Sequence, residues 1–76
     1  MANRTIYSMY VIYHLVADHP GPYTVRRFEI ERGTVIPTDD ASDHLTLEDA
    51  RAAVPFGLVN FPRVPSDPQV VVESWL

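Results

Sequence analysis

The chain has no cysteine, no lysine and only three glycines, and each shortage closes off a class of protein. Without cysteine there is no disulfide framework, no thiolate metal site and no thiol nucleophile, a usage that agrees with a reducing, cytoplasmic setting. Without lysine, all side-chain positive charge rests on Arg4, Arg26, Arg27, Arg32, Arg51 and Arg63, against ten acidic residues and a net charge of −4. Neutralising a run of phosphates needs a basic face, so direct binding to nucleic acid is not expected. The apolar run from Ile6 to Val16 is too short to span a bilayer. It is rich in tyrosine and β-branched residues and lacks a small-residue cleavage site, so it does not read as a secretory signal either.

What remains is a chain of 76 residues, 46% hydrophobic, with 11% aromatics and seven prolines. That is one folded domain, residues 1–76, with much of its length in turns. A core of this size leaves little net stability, so a partner or a second copy is a reasonable requirement.

The run Ile6–Val16 is apolar on both alternating faces, the signature of a central strand. Ala17-Asp18-His19-Pro20-Gly21-Pro22 breaks it into a turn. Tyr23–Glu31 alternates as a half-buried strand paired antiparallel to the first. Gly33 permits a reversal, and Thr34-Val35-Ile36 predicts a brief strand ended by Pro37, followed by an acidic connector from Thr38 to Leu45. Thr46 is a good helix N-cap, Glu48 and Asp49 suit the positive end of the dipole, and Pro55 forbids a further turn. Leu47, Ala50 and Val54 form one narrow apolar stripe, and Glu48 can pair with Arg51. At about eight residues this helix needs a sheet to lie on. Leu58–Phe61 and Val70–Trp75 predict two further strands, the second strongly β-branched, around the stiff loop from Pro62 to Pro68. The expectation is an α+β domain in the order β-β-β-α-β-β, a small antiparallel sheet of four to five strands with one short helix on one face. Phe56 and Phe61 are expected in its core.

The residues Met9-Tyr10-Val11-Ile12-Tyr13-His14, Asp18-His19-Pro20-Gly21, Val25-Arg26-Arg27-Phe28, Thr46-Leu47-Glu48-Asp49-Ala50-Arg51 and Val72-Glu73-Ser74-Trp75-Leu76 resemble a family of short bacterial and phage proteins of unassigned function. The use of arginine alone agrees with the codon bias of a GC-rich genome of that kind. The resemblance covers most of the chain and implies a fold and a genomic setting, without catalytic content. In that pattern a start near Met9 is natural, which makes Met1 to Ser8 an extension.

No reaction is spelled out. Ser8, Ser42, Ser66 and Ser74 sit in no nucleophile elbow, and His14, His19 and His44 have no metal-ligand spacing. Asp39, Asp40 and Asp43 have ligand-like spacing, but no glycine shapes the loop for a hard cation. No cofactor or metal is therefore expected. Arg26 and Arg27 occupy opposite faces of one strand, one of them within reach of Glu29 or Glu73. The densest charge is the set Asp39, Asp40, Asp43, Glu48 and Asp49, and it is the candidate partner-binding surface. The functional expectation is a non-catalytic protein–protein interaction module. In its most concrete form it is a phage or mobile-element inhibitor of a host defence complex, of the anti-CRISPR kind, whose acidic patch meets the basic groove of a nucleic-acid-binding complex. The alternatives are a self-associating accessory domain, pairing as a homodimer through the edge of the final strand, and a small metal-dependent enzyme or ligand binder using the acidic segment with His44.

Overall fold

The computed structural model describes residues 7–76. Along the chain run β1 (Tyr7–His14), β2 (Tyr23–Glu31), β3 (Thr34–His44), α1 (Leu47–Ala52), β4 (Asn60–Pro62) and β5 (Val71–Trp75). The strands form an antiparallel five-stranded sheet in the order β3-β2-β1-β5-β4. With one short helix this is an α+β domain, and no helix among the described residues is long and apolar enough to cross a membrane.

β1 is the middle strand, and its two-sided apolarity is why. Val11 and Ile12 are neighbours on opposite faces, and both are buried. Residues 1–6, including the Ile6 at which the apolar run begins and most of the extension expected before Met9, lie outside the described residues. The β1–β2 ladder runs unbroken from Tyr7 opposite Ile30 to His14 opposite Tyr23. The turn between them is closed by the Leu15 amide donating to the Pro22 carbonyl at 2.9 Å.

The core is small. Ile12, Val25 and Ala50 form its centre, and Tyr10, Tyr23, Leu47, Val54, Val72 and Trp75 pack around them. Ala50 is 0% exposed, so the predicted stripe of Leu47, Ala50 and Val54 does face the core. Thr46 caps the helix, its hydroxyl accepting from the Asp49 amide at 3.1 Å. The helix closes at Ala53, before Pro55, because the Ala53 amide bonds Ala50 and Asp49 and the Val54 amide turns back to Arg51. That tightened last turn meets the bias of a pre-proline residue away from helical backbone.

Several expectations are corrected. β3 is eleven residues long and runs through Pro37, so the acidic segment after Thr38 belongs to a strand and not to a connector. Proline is tolerated because β3 is an edge strand and Pro37 lies beside a register shift between Arg26 and Phe28. Thr38 stitches the irregularity: its hydroxyl donates to the Arg27 carbonyl at 2.6 Å, and its carbonyl accepts from the Arg26 guanidinium at 2.7 Å. β5 is not an edge. β1 and β4 flank it, and the ladder extends to Val59 and Leu76, which exchange backbone bonds of 2.8 and 3.1 Å. Pairing of a second copy along β5 is thereby closed off. Phe56 and Phe61 are not core residues: Phe56 stands on the turn after the helix at 106% exposure, and Phe61 lies on the short edge strand β4 at 50%.

Candidate functional site

The five acidic candidates fall on two elements, with Asp39, Asp40 and Asp43 along the outermost strand β3 and Glu48 and Asp49 in the first turn of α1. They do not share one role. Asp40 accepts from the Arg27 Nε at 3.1 Å, and the Nη1 of the same guanidinium donates to Glu29 at 3.2 Å. Arg27 thus pairs across strands with Asp40 and along its own strand with Glu29, and the expected cross-strand partner Glu73 is taken by Arg51 instead. Arg63 itself donates to the Asp67 carbonyl at 2.9 Å within the proline-rich loop.

Asp43 is tied more tightly. Its Oδ1 accepts from the Thr24 hydroxyl at 2.8 Å and lies 3.2 Å from the His19 Nδ1. The Thr24 hydrogen bond, with His19 and His44 nearby, holds the Asp43 carboxyl below the usual range against an opposing contribution from burial. Gly21 allows this approach: a Cβ there would lie 2.7 Å from the Asp43 Cβ and 3.1 Å from the His44 amide nitrogen. The β1–β2 turn is clamped onto the end of β3 by His19, Gly21 and Asp43 together.

Asp39, Glu48 and Asp49 are exposed, and their carboxylates have no hydrogen bond or ion pair among the described residues. Of the five candidates, these three are the carboxylates left to present. Of the histidines, His14 stacks on Tyr23 with ring centroids 4.7 Å apart, and Tyr23 pairs with His44 across β2 and β3. His44 Nε2 lies 2.7 Å from the Ser42 hydroxyl. All three histidines therefore lie at the same end of the sheet, His14 and His44 beside Tyr23 and His19 beside Asp43, a placement set by strand register and invisible in their spacing. Among the described residues no group of three ligating side chains could hold a metal ion.

Two features escape sequence reasoning. The first is Glu73, 4% exposed on the helix face opposite Ile12. It accepts from the Arg51 Nε at 3.0 Å, the Arg51 Nη2 at 2.7 Å and the Trp75 Nε1 at 2.8 Å. Arg51 turns to it instead of pairing with Glu48, because a buried carboxylate without donors is far costlier than an exposed one. The Arg51 hydrogen bond is the main reason the Glu73 carboxyl sits below its ordinary range, burial opposing it and Trp75 adding to it. The second is an apolar groove of about 640 Å³ lined by Tyr7, Ser8, Tyr10, Ile30, Pro55, Leu58 and Leu76. A hollow of about 420 Å³ on the other side of Pro55 and Leu58 includes Arg51, Phe56 and Trp75 in its lining.

No family model, curated protein or solved structure matches the chain.

Proposed function

We propose that the chain is a non-catalytic protein–protein interaction module, a β-β-β-α-β-β domain that meets its partner along the outer edge of β3. The observation that carries this reading is the edge itself: eleven residues whose outer side has no neighbouring strand among the described residues, set with Asp39, Asp40 and Asp43. An edge of that length offers backbone donors and acceptors to a partner, and its carboxylates select a basic one. Glu48 and Asp49 add negative charge at the start of the helix that follows. In the concrete form of an inhibitor of a host defence complex, the carboxylates stand where nucleic-acid phosphates would lie. The net charge of −4 favours encounter with a basic groove. Asp40 and Asp43 are partly spent on Arg27, Thr24 and His19, so Asp39, Glu48 and Asp49 carry most of the attraction.

The test is capture from a bacterial lysate on the immobilised chain, followed by binding to the recovered partner. Asp39→Lys with Glu48→Lys removes no side-chain hydrogen bond or ion pair among the described residues and should weaken binding about tenfold, a change of about 1.4 kcal/mol, with a shallower salt dependence. Binding that is unchanged in strength and in salt dependence contradicts the reading.

A further inference from the structure

We propose that the turn between β1 and β2 is a pH-sensitive latch, held onto the end of β3 by His19 and Asp43 while the imidazole is protonated and loosened as pH rises and the ring becomes neutral. The His19 Nδ1 lies 3.2 Å from the Asp43 Oδ1, with the two side chains 22% and 31% exposed. Protons can reach the ring, yet the pair escapes much of the screening of an open surface. As a cation the ring gives the carboxylate a charge-assisted hydrogen bond; once neutral, it carries a proton on Nδ1 in only one of its two tautomers, and the charge is lost in either.

The turn is poised to move. Leu15 at φ 57° and Asp18 at φ 72° both take left-handed backbone, which an aspartate tolerates and a bulky leucine does not. The Leu15–Pro22 bond closes the base of the turn, whereas nearer its tip the His19 amide reaches the Val16 carbonyl only at 3.4 Å, beyond the usual range. Strain in the backbone opposes the closed turn, and the His19–Asp43 pair opposes the strain. Gly21 belongs to the same fit, since the turn comes so near Asp43 and the backbone of His44 that a Cβ there has no room.

The groups around the pair leave the switching to His19. From β2 the Thr24 hydroxyl donates to the same Asp43 oxygen at 2.8 Å, and it does not titrate. That bond is the first reason the Asp43 carboxyl is held below its usual range, so the carboxylate stays ionised where histidines ordinarily change charge, between about pH 5 and 8. On β3, His44 adds positive charge near Asp43 when protonated, but its Nε2 is engaged by the Ser42 hydroxyl at 2.7 Å. Asp18 adjoins His19 within the turn and is exposed. Because Thr24 keeps its bond to Asp43 throughout, opening is confined to the turn and the β2–β3 ladder stays paired. Release leaves Asp43 without its cation, so the end of the outermost strand is more negative above the histidine titration than below it.

Nitrogen-15 relaxation of the purified chain across about pH 5 to 8, with the His19 ring titration followed in the same samples, tests the proposal. Backbone order parameters at Ala17, Asp18, His19 and Gly21 should fall from about 0.85 to below about 0.6 as pH rises, with a midpoint that coincides with the titration of the His19 ring. Those of β2 should stay at the rigid value. His19→Gln should leave the turn equally ordered at every pH. His14→Gln removes only the ring stacked on Tyr23 and spares both partners of the latch, so it should keep the transition. A native turn equally ordered at both ends of the range, a midpoint apart from that of the His19 ring, a transition that survives in His19→Gln or one that is lost in His14→Gln overturns the proposal. The measurement contains no other protein, so its outcome is independent of whether the β3 edge binds a partner.

Discussion

Glu73 shows most clearly how a single residue is fixed by its surroundings. In a run of valines it looks like the wet side of a strand. Pairing with β1 turns it onto the helix face, where Arg51 and Trp75 supply three donors to its carboxylate. The sequence separation of Arg51 and Glu73 hides the pair, because only the tertiary fold brings the helix over β5. The Glu73 carboxyl is held below its ordinary value of about 4.3 chiefly by Arg51. A depressed carboxyl contributes stability above the unfolded-state value and loses it as pH falls through the folded-state value. The Asp43 carboxyl, lowered first by Thr24, acts in the same direction. Urea midpoints measured from neutral pH down to about pH 3 should therefore fall steeply below about pH 4.5 in the native chain. Glu73→Gln should flatten that limb while lowering stability at neutral pH, and an identical acid limb in the variant contradicts the role given to the carboxylate.

Elements differ in how much of them is local. The helix was legible because its cap, its dipole-matched acids and its apolar stripe lie within a few residues of one another. Its final turn was shorter than expected because Ala53 and Val54 tighten ahead of Pro55. β3 was not legible beyond Ile36. Proline and three aspartates argue against a strand, and what overrides them is pairing with β2, together with Thr38 bridging the register shift. The clamp of the β1–β2 turn onto β3 was hidden for the same reason. Gly21→Ala tests it, since the added methyl would collide with Asp43 and the backbone of His44. The cost should be about 1–3 kcal/mol by chemical denaturation, and a neutral substitution would show that the turn does not pack there. Two of the five acidic candidates, Asp40 and Asp43, have structural partners that only this strand assignment reveals.

At the scale of the whole molecule, the central position of β1 was readable from apolarity on both its faces, and the α+β class followed from the order of patterns. The distribution of aromatics was not readable. Phe56 and Phe61 are as hydrophobic as any core residue, yet one stands on a turn and the other on an edge strand of three residues. Hydrophobicity reports a preference for burial and is silent on whether the burial is within the chain or against another one. The resulting molecule has an apolar groove walled by β1 and the Pro55–Leu58 turn and an acidic open edge on β3, none of whose residues lines the groove.

Hydrogen exchange of the captured complex, compared with the chain alone, tests the central claim most directly. A partner docked along β3 should slow exchange of the amides between Thr34 and His44 that point away from β2, since these have no sheet neighbour among the described residues of the free chain. Slowed exchange confined to other elements, with the outward amides of β3 unchanged, would contradict the account.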